Sequence, residues 1–350
     1  ITRNLLTPEV FWRDHYDYIL EHGYELRPRY RPDWVPSWKS WWSGCRAEDR
    51  PFLPNVRGAT NDARRCTDNA RVVLKRAHLA ELDILRHLHS LPPSLRNHTV
   101  PLLDVVPLEN PKEVLIVMPF LRRFHQPSFD RLDEVIHALL EIMRGIAFMH
   151  SHKIAHRDAC LGNFVMDSTQ LIPTGFHFSA PYLTPDMKRF IKPKRRFALN
   201  IRYYIIDFET SLIHPGPGRA LDHVGQDKTV PEFKSKDPYD PFKLDIYQVG
   251  NMIRKKFVEH YVGLEVLAPI AEAMTRETPA ERPTADQVLL SLEVLAKSHP
   301  TGPWIHLKHA EYWAKKKVQL RNKIRHPFFS GGGSVPRSAG SAGLTECARI

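Results

Sequence analysis

Three short stretches of the chain carry side chains that could transfer a phosphoryl group. One stretch, 156–163, contains Asp158, and a second aspartate, Asp207, follows two isoleucines. A lysine, Lys75, ends an apolar run further upstream. Phosphoryl transfer needs a base that orients the attacking hydroxyl, oxygen ligands that hold magnesium, and a cation on the phosphates. These residue types can supply all three parts.

The spacing within the first stretch is the most specific signal. His156, Arg157 and Asp158 are consecutive, and Asn163 follows five residues after the aspartate. This matches the catalytic-loop pattern H-R-D-x-x-x-x-N. We expect Asp158 to orient the acceptor hydroxyl and Asn163 to bind magnesium. Arg157 is expected to be structural or to pair with a phosphorylated segment.

The other two stretches follow the same logic. Residues 205–209 read Ile-Ile-Asp-Phe-Glu, which is similar to the strand before D-F-G, whose aspartate binds magnesium. Residues 72–75 read Val-Val-Leu-Lys and are similar to V-A-I-K, whose lysine holds phosphates. Glu81 is the glutamate expected to pair with Lys75, across a gap of only six residues. The short gap predicts a very tight link.

Together these motifs follow the order found in the eukaryotic protein-kinase superfamily, which the chain resembles from residue 72 to about 297. Residues 230–232, Val-Pro-Glu, resemble the A-P-E that ends the activation segment. Asp245 begins a stretch similar to D-x-W-x-x-G, whose aspartate supports the catalytic loop. Arg282 resembles a late arginine that forms a buried ion pair, here with Glu232.

The whole chain is also similar to the divergent kinase-like proteins common in mushroom-forming fungi, through the segment 23–30 (Gly-Tyr-Glu-Leu-Arg-Pro-Arg-Tyr). The resemblance implies an α+β, two-lobed protein-kinase-like fold with a small strand-rich N-lobe and a larger helical C-lobe. It also implies ATP and magnesium as cofactors. The implied catalytic residues are Lys75, Asp158, Asn163 and Asp207. The residues implied to contact the nucleotide are Lys75, Glu81, Met118, Asn163 and Asp207. Asn163 and Asp207 would also hold the metal.

Several features depart from the family pattern. No glycine-rich loop precedes Lys75, and the nearest glycine is the isolated Gly58. That loop normally supplies backbone amides to the nucleotide phosphates. Glu209 replaces the glycine of D-F-G, and we expect it to be solvated, with a further metal-ligand role as the alternative. Cys160 occupies a position where serine/threonine kinases usually have lysine; an inert thiol is favoured over a reactive one.

The fourth departure is an insertion. Asp207 lies 44 positions after Asn163, where the family has a short hairpin, and the excess contains a basic run at 188–196. This run could dock an acidic partner, or it could be a solvated loop. The chain as a whole has a formal charge of +11, which attracts polyanions. Because no nucleic-acid-binding motif accompanies that charge, nucleic acid is not the expected partner.

Three functions remain open. The leading one is ATP- and magnesium-dependent transfer to a protein hydroxyl, on serine or threonine, at a reduced rate because the glycine-rich loop is missing. A pseudokinase scaffold without turnover is the second. A small-molecule kinase of the choline or aminoglycoside type is the third, and the expected Glu232–Arg282 pair argues against it.

Four regions are expected: an aromatic, proline-rich extension (1–50) that packs on the body, an N-lobe (51–120), a C-lobe (121–325) with an insertion at about 168–200, and a disordered Gly/Ser tail (326–350). Hydrophobic periodicity predicts helices and strands along the chain. The helices are 9–20, 79–91, 132–150, 240–260, 263–276, 284–297 and 309–323, and the strands include 70–76, 100–106 and 113–118. No transmembrane run or cysteine pair is visible, which favours an intracellular, cytoplasmic or nuclear location.

Overall fold

The computed structural model describes residues 5, 7–34, 58–213, 222–234 and 237–307. Residues 1–306 form one compact unit, and a second unit comprises 307–350. The predicted helix at 309–323, the tail at 326–350 and much of the 1–50 extension lie outside the described residues.

The fold is of mixed α+β type and contains a five-stranded antiparallel sheet. Its strands are β1 (Tyr24–Leu26), β2 (Thr60–Arg65), β3 (Arg71–His78), β4 (Asp104–Pro107) and β5 (Glu113–Pro119), in the order β1-β2-β3-β5-β4. Strand β5 is buried along most of its length, as its apolar run predicts. Strand β4 begins at Asp104, later than the predicted strand at 100–106, because residues 100–103 are irregular.

Two N-terminal helices cover this sheet. Helices α1 (Thr7–Asp14) and α2 (Tyr16–Glu21) cover the helix predicted over 9–20, with an interruption at His15. Trp12 lies fully buried in the same apolar cluster as Leu74, and its indole nitrogen donates to the Gly58 carbonyl at 2.7 Å. Aromatic residues before β1 therefore belong to the core of the sheet.

The remaining regular elements follow β3 and β5. The helices are α3 (Leu79–Ser90), α4 (Leu132–Ser151), α5 (Pro241–Ile253), α6 (Ala268–Met274) and α7 (Ala285–Ser298); a π-helical turn, Arg254–Val258, continues α5. The short strands are β6 (Arg122–Arg123), β7 (Ile154–Ala155), β8 (Phe164–Met166), β9 (Tyr203–Ile205), β10 (Leu212–Ile213), β11 (Tyr261–Val262) and β12 (His306–Leu307). The predicted helices at 79–91, 132–150 and 284–297 are confirmed, while α6 is shorter than the predicted 263–276.

Helix α4 shows why the periodic pattern was reliable. Its predicted apolar face, from Val135 to Met149, is buried, and the helix packs against α7. Glu134 accepts hydrogen bonds from the backbone amides of Asp130 and Arg131, at 2.9 and 3.3 Å, which satisfies donors at the N-terminus. None of the described helices has both the length and the apolar character of a membrane span.

Strands β8 and β9 form an antiparallel hairpin that explains the long gap between Asn163 and Asp207. Phe164 pairs with Ile205 at one end, and Met166 pairs with Tyr203 at the other. Residues 167–202, which connect β8 to β9, leave the hairpin and return to it at the Met166–Tyr203 end. The insertion at about 168–200 therefore extends the far end of the hairpin and leaves the other end intact.

Candidate active site

Lys75 lies on the sheet and contacts two carboxylates. Its ammonium nitrogen lies 2.7 Å from Glu81 Oε1 and 2.5 Å from Asp207 Oδ1. The Lys75–Glu81 contact expected from the sequence is thus present. The tight link arises because β3 continues to His78 and α3 begins at Leu79 without an intervening loop.

Asp207 is held at this position by its backbone as well as by Lys75. Its φ is +72°, in the left-handed region that aspartate enters more readily than most residues. The next amide, of Phe208, donates to Glu81 Oε1 at 3.1 Å, and the Phe208 ring is buried against His156. Glu81 therefore fixes both the lysine and the segment that carries Asp207.

Asn163 reaches the same end of the hairpin as Asp207. It immediately precedes β8, and its carbonyl accepts a hydrogen bond from the Ile206 amide at 3.0 Å. Its side-chain amide donates to the Asp158 backbone carbonyl at 2.9 Å and to Asp158 Oδ2 at 3.0 Å. Asn163 Nδ2 therefore donates only toward Asp158, and Oδ1 is the side-chain atom that could accept a cation.

Helix α5 supports the loop that carries Asp158. Asp245 is fully buried and accepts hydrogen bonds from the backbone amides of His156 at 2.8 Å and Arg157 at 2.7 Å. Gln248 accepts from the Ala159 amide at 2.8 Å and donates to the Arg157 carbonyl at 3.1 Å. Four backbone groups of the loop are therefore satisfied by two side chains of one helix. The resemblance predicted the role of Asp245 but not that of Gln248.

Arg157 adopts a left-handed conformation, with φ at +63°, which is unusual for a long side chain. Its guanidinium donates to the Thr210 carbonyl at 2.6 Å and to the two carboxylate oxygens of Asp222 at 2.5 and 3.1 Å. The acidic partner of Arg157 in this structure is therefore an aspartate. These contacts hold the strained backbone in place.

Gln226 contacts Asp158 directly, and the sequence did not predict this. Its backbone amide donates to Asp158 Oδ1 at 2.7 Å, and its side-chain amide donates to Oδ2 at 2.9 Å. Gly225, with φ at +91°, allows this approach, since a Cβ there would lie 2.6 Å from the Arg157 carbonyl oxygen. Both oxygens of Asp158 are thus occupied by donors from the chain itself. The signal in the sequence was a glycine just before a polar residue, which is too common to interpret alone.

The charges of the site favour an ionised lysine. Burial by itself would lower the pKa of Lys75, but the carboxylates of Glu81 and Asp207 outweigh burial and raise it. Burial raises the pKa of Glu81 despite the nearby ammonium. Burial, together with the Asp158 carboxylate, raises the pKa of Cys160 to about 12, so its thiol is protonated at neutral pH. This agrees with the inert reading of Cys160.

Three carboxylates converge beside Lys75. Glu81, Asp207 and Glu209 each have an oxygen within 4.8 Å of the others. Oxygen atoms are the ligands that magnesium prefers, so the carboxylates of this cluster are of the right chemical type for the expected ion. Glu209 is exposed and has no left-handed φ, so glutamate is accommodated there without backbone strain.

The sequence that connects β1 and β2 is long and has no glycine-rich motif. Strands β1 and β2 pair directly, but 33 residues, 27–59, connect them.

Met118 lies buried at the end of β5, opposite Val73. Just beyond it, Phe120 stacks beneath the Arg71 guanidinium at 3.6 Å and contacts Phe176 of the insertion at 4.7 Å. The insertion therefore packs against the chain segment that follows β5.

The predicted pair between Glu232 and Arg282 is formed. Arg282 donates to both oxygens of Glu232, at 2.6 and 2.8 Å, and also to the Lys243 carbonyl at 2.9 Å. Both side chains are almost completely buried. The pair therefore fixes the segment at 230–234 to the start of α5.

Lys75 contacts Glu81 and Asp207, and Asn163 contacts Asp158. The two groups are joined through the backbone, where the amide of Ile206, next to Asp207, donates to the Asn163 carbonyl. Gln226, Gln248 and Asp222 are added by the structure. Comparison of the chain with protein-family models and with curated proteins gives no match.

Proposed function

We propose that the protein is an ATP- and magnesium-dependent phosphotransferase with a two-lobed, protein-kinase-like fold, acting on a protein hydroxyl. The observation that carries the proposal is the position of Lys75, whose ammonium contacts both Glu81 and Asp207. A lysine fixed by a helix glutamate beside a metal-binding aspartate is the arrangement that protein kinases use to hold nucleotide phosphates.

Each residue has a distinct role in this proposal. Lys75 holds the phosphates, and Asp207 and Asn163 hold magnesium, which neutralises the charge that develops on the transferred group. Asp158 orients the acceptor hydroxyl and accepts its proton. Asp245 and Gln248 keep the Asp158 loop in position through its backbone, so they act as positioning residues.

A protein acceptor is favoured over a small molecule by the Glu232–Arg282 pair. In protein kinases this pairing fixes the end of the activation segment, as the sequence resemblance implies. The pseudokinase alternative is supported by two other observations: Gln226 occupies both oxygens of Asp158, and the sequence at 27–59 has no glycine-rich motif.

The proposal is tested by transfer of labelled phosphate from ATP to a mixture of protein substrates with magnesium. We expect Asp158→Asn, Lys75→Met and Asp207→Asn each to lower incorporation by roughly 100-fold or more, since loss of a positioned base alone removes about 10²–10⁴ in rate. Asp83→Asn is the matched control, because Asp83 is an exposed acid on the same helix as Glu81. Equal incorporation by the wild type and all three site variants would reject the proposal.

Nucleotide binding without turnover separates the two main alternatives. A thermal shift with ATP and magnesium that is lost in Lys75→Met, without phosphate transfer, would favour the pseudokinase. No shift at millimolar nucleotide would also favour the scaffold over the enzyme.

A further inference from the structure

The insertion is an ordered structure with a small apolar centre. Ala180, Leu183 and Met187 are buried together. A turn follows, in which the Thr184 amide donates to the Arg189 carbonyl at 2.8 Å. Arg196 is buried and donates to the Pro127 carbonyl at 2.8 Å, which fixes the end of the basic run to the body. The cations on the run therefore project from a fixed backbone.

The outer side of this run is strongly basic. Between residues 168 and 200 the sequence has one acidic residue, Asp186, and the basic residues are Lys188, Arg189, Lys192, Lys194, Arg195 and Arg196. All of these basic side chains except Arg196 are exposed. The Asp186 carboxylate is already used by the Thr184 hydroxyl at 2.5 Å and the Lys188 amide at 3.1 Å. One acidic residue in this stretch of the sequence therefore stands against five exposed basic residues.

Exposed aromatic side chains occur within the basic run and at its end. Across the described ranges, the exposed phenylalanine, tyrosine and tryptophan side chains are Phe190, Phe197 and Trp304, at 39%, 44% and 52% exposure. Phe190 and Phe197 belong to the insertion, and the Trp304 ring lies 6.5 Å from that of Phe197. Grouped exposed aromatics beside cations are typical of interaction surfaces.

We propose that this surface, formed by residues 188–197 and Trp304 and called here the insert face, binds an acidic polypeptide segment that also carries apolar side chains. The cations would pair with its carboxylates, and the three rings would pack against its apolar residues. The inference does not depend on phosphotransfer, since it concerns a surface built from other residues.

The arrangement of the rings favours a polypeptide over single-stranded nucleic acid. Bases need free ring faces on which to stack. Here the Arg131 guanidinium lies over Phe197 at 5.0 Å, and that of Arg195 lies over Trp304 at 5.7 Å. Phe197 and Trp304 meet nearly perpendicular, at 82°. The rings therefore do not form a parallel stacking platform, whereas their edges can contact aliphatic or aromatic side chains.

Binding is measured by fluorescence anisotropy without nucleotide, using a labelled peptide in which Glu alternates with Leu and Phe. The test variant is Lys192→Glu/Lys194→Glu/Arg195→Glu. The control, Arg86→Glu/Lys112→Glu/Lys297→Glu, makes the same charge change at exposed positions elsewhere. We expect the test variant to weaken binding by about tenfold or more and the control by about twofold at most, because rim charges act locally. Trp304→Ser should also weaken binding, by about threefold.

The outcomes separate the possible partners. Equal weakening by the two charge-reversal variants would show attraction by net charge alone and overturn the proposal. Tighter binding of oligothymidylate, or of vesicles containing phosphatidylserine, than of the peptide would assign the face to another partner and also overturn it. Binding of polyglutamate as tight as that of the mixed peptide would remove the role of the rings. Unchanged circular dichroism confirms that each variant is folded.

Discussion

Among single residues, Gln226 has the greatest consequence for the proposed reaction. An acceptor hydroxyl must donate to Asp158, yet one oxygen of Asp158 is bound by the Gln226 backbone and the other by its side chain. The backbone contact is compatible with catalysis, because it orients one oxygen and leaves the second for the acceptor. The side-chain contact competes with the acceptor directly.

Replacing Gln226 with alanine is expected to increase transfer. The variant removes one of the two donors at Asp158 Oδ2, leaving that of Asn163, and keeps the backbone contact to Oδ1. A hydrogen bond of this kind contributes about 0.5–1.5 kcal/mol, which corresponds to a roughly two- to tenfold lower KM for the protein acceptor. Gln226→Glu should have the opposite effect, because it places a second carboxylate against Asp158. Steady-state kinetics on one acceptor measure both, and identical KM values for Gln226→Ala and the wild type would contradict the competition.

Local sequence motifs predicted the residues that act through their own type and spacing. The Asp158–Asn163 and Lys75–Glu81 contacts both follow from short sequence separations within or between adjacent elements. Gln226 could not be predicted in this way, because its contact crosses 68 positions and depends on the conformation of Gly225. Long-range contacts of single polar residues leave no periodic signal in a sequence.

At the level of elements, buried ion pairs between segments hold the site together. The Glu232–Arg282 pair joins the segment at 230–234 to the residues before α7, with side-chain exposures of 5% and 0%. Nearby, Lys234 and Glu277 form a second pair between the same two regions, with exposures of 71% and 78%. The two pairs differ mainly in their contact with water.

This difference predicts unequal effects on stability. Glu232→Ala leaves Arg282 buried without its partner and should lower the free energy of unfolding by about 3–5 kcal/mol. Glu277→Ala, the matched control, should lower it by less than about 1 kcal/mol, because exposed pairs contribute little. Urea unfolding followed by tryptophan fluorescence measures both variants. Similar losses in the two would show that the buried pair does not fix this segment.

Strong periodic patterns predicted the long helices, while pairing across distant segments escaped prediction. Helix α4 was predicted almost to its ends because its apolar face repeats over five turns. Strand β1 lies in the region read as an N-terminal extension, yet it pairs with β2. Three residues are too few to show alternation, and 33 residues separate β1 from its partner strand.

On the scale of the whole molecule, buried histidines make stability depend on pH. Burial, followed by the charge of Arg27, lowers the pKa of His177 to about 4, while Asp62 acts in the opposite direction and Arg71 adds to the lowering. Its Nδ1 accepts a hydrogen bond from the Ala180 amide at 3.2 Å, which requires that this nitrogen carries no proton. Burial also lowers the pKa of His125 to about 4.

Stability should therefore fall on acidification below the ordinary histidine pKa of 6.5. In that range the unfolded chain takes up protons that the folded chain excludes, so the free energy of unfolding decreases from about pH 6.5 toward pH 4. His177→Gln keeps a hydrogen-bond acceptor but cannot titrate. We expect a smaller loss between pH 7 and pH 5 in this variant than in the wild type, measured by urea unfolding at each pH. An unchanged pH difference would assign the effect to other groups.

The direct passage from β3 into α3 has a consequence for regulation. No loop lies between His78 and Leu79, so the strand that carries Lys75 continues directly into the helix that carries Glu81. The connection has no spare residues that would let α3 move away from the sheet and separate Glu81 from Lys75. If α3 moved away from the sheet, the residues at this junction would have to change their own backbone conformation, because no loop residues lie there to absorb the movement. Asp222 and Gln226 contact Arg157 and Asp158 from a separate segment, so a displacement of residues 222–226 would remove these contacts without breaking those of Lys75.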